Sequence, residues 1–240
     1  MLEKISLSLY IPLFNEEEGV EYLKKELSSV LNRIKSLANL RIILVNDGST
    51  DKTPILIENF FTGEDYKIIH HETNKNLGGF LNTALKDCTS EYIGFLDSDC
   101  TYHPKIIIEM ITKIQDGYDI VNASPYHPNG GVQNVDKVRL FLSRSVNNIY
   151  KIISGKNFYT TSSICKIYRT NLVKDIKLTR KNFVSITELF TKSILHTEKI
   201  YEFPCVLNVR KYGTSKMNIF DNIKDHIKYL FHYLRYKYEK

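Results

Sequence analysis

Two aspartates one residue apart, Asp97 and Asp99, close an apolar run that reads Ile93-Gly94-Phe95-Leu96. Carboxylate oxygens at that spacing suit Mg2+ or Mn2+, hard cations that can bridge a protein to a diphosphate. An Asp-x-Asp pair by itself describes many solvated loops. Two further clusters raise its weight: Pro12-Leu13-Phe14-Asn15-Glu16 and Asn46-Asp47-Gly48-Ser49 each follow an apolar run in the same way. If the runs are parallel strands, all three clusters emerge where open α/β sheets bind ligands, beyond the carboxyl ends. A second reading of Asn15 and Glu16 is structural, a helix N-cap and a first-turn acid. No G-x-G-x-x-G follows the first run and no G-x-x-x-x-G-K-[ST] occurs, so the dinucleotide and P-loop fingerprints are missing.

The elements that must position these residues alternate in the manner of a mostly parallel sheet. Strands are expected at 5–13, 40–45, 66–69, 92–96 and 118–121. Between them, helical spacing runs over 17–34, through Phe60 after the Ser49-Thr50-Asp51 caps, over 80–85, and onward from Pro104. Residues 124–134, SPYHPNGGVQN, break the pattern and read as a mobile loop. Beyond it the spacing predicts helices at 135–153 and 186–195, strands at 163–168 and 200–209, and a final helix at 218–238. That helix carries an apolar stripe of Ile219, Phe220, Ile223, Ile227, Leu230, Phe231 and Leu234. The division implied is one α/β domain over residues 1–217, with 218–240 as a basic amphipathic helical appendage.

Composition agrees with one soluble domain: 240 residues, 42% hydrophobic and 25% charged, exclude a disordered or collagen-like chain. No run nears the roughly 18 apolar residues of a membrane span. Residues 1–4 lead directly into a strand pattern without a signal-peptide core. Cys88, Cys100, Cys165 and Cys205 form no metal or disulfide framework, which implies a reducing, cytoplasmic location. The net charge of +6 is uneven: residues 202–240 hold eight Lys or Arg against four Asp or Glu. An anionic partner or a solvated face explains the excess. The terminal helix would lie peripherally on a membrane surface, or pack on its own domain or on a second copy as a homodimer. Nucleic acid is disfavoured, since no binding motif accompanies the basic residues.

The ordered set IPLFNEEEG from Ile11, VNDGSTDKT from Val45, NKNLGG from Asn74, LDSDCTYHP from Leu96 and VRKYGTSKM from Val209 resembles the family 2 glycosyltransferases of GT-A fold. Within them it is similar to the dolichyl- and polyprenyl-phosphate mannose synthases, and the likeness covers nearly the whole chain. The resemblance implies that Pro12, Phe14, Asn15 and Glu16 line a nucleoside pocket, with Val45 and Asp47 closing on base and ribose. It sets Asp97 and Ser98 by the ribose and diphosphate of a GDP- or UDP-hexose, and Asp97 and Asp99 at a Mg2+ or Mn2+ ion. The family's further glutamine ligand is here Thr101. Arg210 and Lys216 match a late basic element that flaps over the diphosphate, and Arg139 and Ser143 match an acceptor-phosphate element. Two elements depart from the pattern: Gly-Ser-Arg reads Ala123-Ser124-Pro125, and the later D..SGF reads Thr160-Thr161-Ser162-Ser163-Ile164.

The resemblance implies an inverting, metal-dependent transferase. Positive charge grows on the sugar as the anomeric bond breaks, and negative charge grows on the diphosphate. A phosphate-monoester acceptor is already a nucleophile at neutral pH, whereas a sugar hydroxyl needs a general base. Glu188 lies where other family members place one. Three readings follow: hexose transfer to a polyprenyl phosphate, extension of a glycan with Glu188 as base, and nucleotide-sugar binding without catalysis.

Overall fold

The computed structural model describes residues 4–133, 137–213 and 219–239. The first half alternates strand and helix: β1 (Ile5–Leu13), α1 (Val20–Leu37), β2 (Ala38–Asn46), α2 (Thr53–Phe60), β3 (Tyr66–His70), α3 (Asn76–Asp87), β4 (Tyr92–Phe95), α4 (Ile106–Gln115) and β5 (Ile120–Ser124). The second half holds β6 (Gly131–Val132), α5 (Lys137–Ser154), β7 (Lys166–Arg169), α6 (Val184–Ser193), β8 (Ile200–Pro204), β9 (Val206–Leu207) and α7 (Ile219–Tyr238), with a 3-10 turn at Thr170–Leu172. The segment expected as a loop contains β6, which pairs with β9 in a small two-stranded sheet. The expected strand at 200–209 is two strands, β8 and β9.

Seven strands form the main sheet in the order β3-β2-β1-β4-β7-β5-β8. All its pairings are parallel except those of β7, which runs antiparallel to both β4 and β5. Alternation along β1 sorts the core into two layers. Leu7, Leu9, Ile11 and Leu13 face the cluster completed by α1, α2 and α4. Tyr10 faces the other, filled by Phe80, Phe95, Tyr168 and Phe190 and closed by α3, α5, α6 and α7. The result is a three-layer α/β/α arrangement. The strand order reverses around β1, with β2 on one side and β4 on the other, the place where such sheets open a ligand crevice. Because β7 is antiparallel, the residues that lead into it lie at the same rim as the carboxyl ends of β1, β2 and β4.

The C-terminal helix is docked on its own domain. Tyr229 and Tyr233 are fully buried, and the Tyr229 hydroxyl lies 2.7 Å from Thr191 Oγ1 while that of Tyr233 donates to Thr191 O (3.1 Å). Tyrosine suits this seam, since its ring is buried while its hydroxyl finds a partner. The aliphatic stripe expected to form the seam is turned partly outward: Ile227 is 51% and Phe231 72% exposed. The side chains of Ile219 and Phe220 lie outside the described residues.

Candidate active site

The loops after β1 and β2 hold each other through reciprocal caps. Asn15, in the left-handed region at φ 52°, accepts from Thr50 N at Oδ1 (2.8 Å), and its own N–H donates to Ser49 Oγ (3.0 Å). Glu16 N donates to Thr53 Oγ1 (2.8 Å), Glu17 N to Asp51 Oδ2 (3.1 Å), and Lys52 N to Glu17 Oε2 (3.0 Å). Side-chain oxygens thus satisfy the amides that short polar loops leave open. Gly48 completes the turn at φ 70°, and a Cβ there would stand 2.5 Å from the carbonyl carbon of Thr73. Only glycine meets both conditions without strain.

Asp47 follows β2 and is almost fully buried. His71 Nδ1 lies 2.6 Å from its Oδ1, which also accepts from Lys75 N (2.9 Å), and His71 Nε2 lies 2.8 Å from Thr83 Oγ1. The carboxylate is therefore fixed before any ligand arrives. His71 carried no signal in the sequence beyond its place after β3.

Beyond β4 the chain turns through Cys100, at φ 54°, and Asp99 Oδ1 accepts from Thr101 N (3.0 Å). Both carboxylate oxygens of Asp97 are buried without a hydrogen-bond partner. Burial, reinforced by the neighbouring Asp99 carboxylate, holds the Asp97 carboxyl well above its usual range. An orphaned buried carboxylate beside a second one is a place for a cation. Among the described residues no group of three or more His, Cys, Asp or Glu is placed to hold a metal ion. A divalent ion here would take Asp97 and Asp99 from the protein and the rest of its oxygen shell from a diphosphate and water, which fits a hard cation. Arg210 reaches the same spot from the far end of the chain. Its guanidinium bonds the Glu16 carboxylate, and its Nε lies 3.5 Å from Asp99 Oδ2.

A cavity of about 870 Å³ opens along this rim. Of the residues singled out in the sequence, Pro12, Phe14, Glu16, Asp47, Asp97, Ser98, Asp99, Ser143 and Arg210 line it. Three do not. Val45 is fully buried in the layer under α3 and α6, because its position in β2 points it into the core. Asn15 is spent on the Thr50 cap behind the wall. Glu188 is fully buried in α6, paired with Lys192 Nζ at 2.7 Å, and accepts from Thr179 N (2.9 Å), Thr179 Oγ1 (2.9 Å) and Arg180 N (2.8 Å). Both oxygens are thus engaged by groups of its own chain, away from the cavity lining. Lys216 lies outside the described residues, and Arg139 is described only as part of helix α5.

The other end of the cavity is bounded by α5, α6, α7 and the segment entering β7. That segment is pinned by buried polar groups. Asn122 Nδ2 donates to Thr160 O (2.6 Å) and Glu202 Oε1 (3.0 Å); Glu202 accepts from Tyr159 N and Thr160 N. Lys166, fully buried, donates to Thr161 O (3.1 Å) and Ser163 O, and burial lowers its pKa to about 7. Asn147 Oδ1 accepts from Thr161 N (2.9 Å) and Thr161 Oγ1 (2.7 Å). Asn147 stands one helical turn after Ser143, so the same spacing that paired Arg139 with Ser143 could have pointed to it. His226 and Asn222 of α7 also line this end, and sequence reasoning passed them over in favour of the aliphatic stripe.

Residues 8–177 match the family described as glycosyl transferase family 2. The chain is similar to a dolichol-phosphate mannosyltransferase of Pyrococcus furiosus, 25% identical over 236 residues, covering 98% of this chain and 63% of that protein. It is also similar to a polyprenol monophosphomannose synthase of Mycolicibacterium smegmatis, 25% identical over 219 residues, covering 87% of this chain and 79% of that protein. The chain therefore spans less than two thirds of the length of the Pyrococcus relative. Among solved structures, glucosyl-3-phosphoglycerate synthase of Mycobacterium tuberculosis, crystallised with Mn2+, UDP and glucosyl-3-phosphoglycerate, shares the fold. Its TM-score is 0.68 at 16% identity, over 96% of this chain and 78% of that one.

Proposed function

Because the chain belongs to glycosyltransferase family 2, we propose that it moves a hexosyl group, with inversion, from a GDP- or UDP-sugar to a polyprenyl phosphate. The observation that carries this reading is the Asp97 carboxylate, buried without a partner beside Asp99 and Arg210 in one cavity at the sheet's switch point. Asp97 and Asp99 would hold Mg2+ or Mn2+, which when bound neutralises charge growing on a departing diphosphate. Pro12 and Phe14 offer apolar surface for the nucleoside, and Asp47 a fixed acceptor for a hydroxyl. Arg210, tethered by Glu16, brings a guanidinium to the side of the cavity where leaving-group charge develops.

The choice of a phosphate acceptor over a hydroxyl rests on Glu188. A sugar hydroxyl needs a base, and Glu188 is committed to Lys192, Thr179 and Arg180. A phosphate monoester needs cations and hydroxyls to position it, roles open to Arg139 and Ser143 on α5. The two relatives, whose names specify dolichol phosphate and polyprenol, agree with a lipid acceptor. Association with a membrane surface is supported by exposed Phe141 and Ile152 on α5 and Phe231 and Tyr238 on α7, interspersed with Arg144, Lys224, Lys228 and Arg235. Among the described residues no helix is long and apolar enough to cross a membrane.

The test is incubation with labelled GDP-mannose or UDP-glucose, Mn2+, and either a polyprenyl phosphate or oligosaccharides. Label in the lipid fraction, lost in Asp99→Asn, is the expected result. Label on saccharide alone rejects the proposed acceptor, and donor binding without transfer to either rejects catalysis.

A further inference from the structure

The cavity's second end carries two open polar atoms. Asn147 is 3% exposed, and its orientation is fixed by chemistry: a backbone N–H can only donate, so the atom facing Thr161 N is Oδ1. Its Nδ2 is thereby turned the other way, buried and without a hydrogen-bond partner, on a residue that lines the cavity. Across from it on α7, Asn222 lines the same cavity with Oδ1 buried and equally unpartnered. One unused donor and one unused acceptor, both shut away from water, are costly unless a ligand completes them.

The rest of this end is uncharged save for Asp221, an exposed acid of α7 beside Asn222. Ser143, Thr161 and Ser162 supply hydroxyls, and Val146, Phe183 and Ile186 supply apolar surface. His226 is kept uncharged near neutral pH, since burial pushes its pKa down to about 4. Among the described residues lining the cavity, Arg210 is the only Lys or Arg, and it sits at the Asp99 end. Such walls suit a group made of hydroxyls, each both donor and acceptor, and C–H faces.

Sheet order says which part of a ligand comes here. Along the rim the sequence of strands is β2, β1, β4, then β7, with Phe95 of β4 registered against Lys166 of β7. A nucleotide sugar is linear: base and ribose, diphosphate, then sugar. With its nucleoside over the β1 and β2 loops and its diphosphate at Asp97 and Asp99, the next group falls on the segment entering β7, under α5 and α7. Resting on the transferase reading, we infer that the lobe between α5 and α7 seats the transferred hexose, and that the carboxamides of Asn147 and Asn222 read its hydroxyls as specificity determinants.

The experiment is calorimetric titration with Mn2+ of GDP, UDP, GDP-mannose and UDP-glucose into the wild type, Asn147→Asp and Asn222→Leu. Asn147→Asp keeps an oxygen toward Thr161 and removes the open carboxamide donor. The wild type should bind one nucleotide sugar more tightly than its nucleoside diphosphate. Each variant should reduce that preference by about five- to tenfold, the worth of one hydrogen bond, with affinity for the diphosphate and the melting temperature unchanged. Variants that keep the wild-type preference overturn the inference while leaving the transferase reading intact. So does a parallel loss of both affinities and of stability, which marks a structural role. A wild type that binds none of the four compounds overturns the transferase reading itself, and the inference with it.

Discussion

His226 gives the most quantitative test of how the α5–α7 lobe is built. It lies almost fully buried on α7, with Nδ1 3.1 Å from the Tyr150 hydroxyl of α5. Burial outweighs the opposing pull of Asp225 and lowers its pKa from 6.5 to about 4. The neutral ring shares a hydrogen bond with the Tyr150 hydroxyl through Nδ1. Since the folded value lies below the unfolded one, the unfolded chain binds a proton that the native state refuses between about pH 6.5 and 4. Stability must therefore fall as pH drops through that window, and this group contributes nothing to pH dependence above it. The full difference of 6.5 − 4 = 2.5 pH units corresponds to about 3.4 kcal/mol, of which roughly 2.5 kcal/mol has been lost by about pH 4.5. Asn at this position offers an oxygen to the Tyr150 hydroxyl and does not titrate. Urea denaturation of the wild type and His226→Asn, from about pH 4.5 to 7.5, reads the effect as the gap between two profiles, so that other titrating groups cancel. The wild type should lose about 2.5 kcal/mol relative to the variant toward the acid end. Parallel profiles would refute the argument, and with it the claim that His226 is uncharged at neutral pH.

Glu188→Gln leaves the Lys192 ammonium buried without its counter-charge, so it should destabilise by about 3–5 kcal/mol in urea while turnover per folded molecule stays near wild type; the reverse pattern would restore Glu188 as a catalytic base. Gly48→Ala forces a Cβ to within 2.5 Å of the Thr73 backbone at φ 70°. It should cost about 1–3 kcal/mol and weaken nucleoside-diphosphate binding in calorimetry, and an unchanged affinity would mean the turn does not shape that pocket. Lys166→Met removes both donors to Thr161 O and Ser163 O. Hydrogen exchange at residues 159–163 should rise, and wild-type protection there would show that the other bonds to this segment suffice.

The end of the cavity proposed for the donor was legible because its residues follow strands. A short apolar run followed by Asp-Ser-Asp or Asn-Asp-Gly-Ser has few ways to fold in an α/β chain, and β1, β2 and β4 each form where the apolar run predicts. Val45 failed for a related reason. Motif reasoning treats neighbours alike, whereas a strand turns successive side chains to opposite faces, and Val45 falls on the core face while Asp47, beyond the strand, reaches the cavity. Glu188 was a local oversight, since Lys192 stands at i+4 and announced an ion pair on one helix. The far half was hidden by long-range contacts. Nothing within α7 favours Tyr229 and Tyr233 over Ile227 and Phe231 as the buried face; Thr191 on α6, which receives both hydroxyls, decides it. The antiparallel β7, which brings Thr160–Ser163 to the rim, likewise follows from pairing with β4 and β5.

The two halves differ in charge as well as in legibility, and the difference has a chemical cause. Asp47, Asp97, Asp99, Glu16 and Arg210 stand at the β1–β2–β4 end, whereas Asn147, Asn222, Thr161 and neutral His226 stand at the β7 end, with Asp221 as its acid among the described lining residues. During glycosyl transfer negative charge grows on the diphosphate and positive charge on the sugar, which must be held in one orientation relative to it. A fixed cation beside the hexose would oppose the charge growing there. Carboxamides and hydroxyls supply direction instead, provided they are themselves immobile. The bonds of Asn147 to Thr161, and of Asn122, Glu202 and Lys166 to the same short segment, supply that immobility. On the proposed reading, loosening this network should therefore slow transfer through a misoriented sugar, whereas altering Asp99 or Arg210 should act on the leaving group.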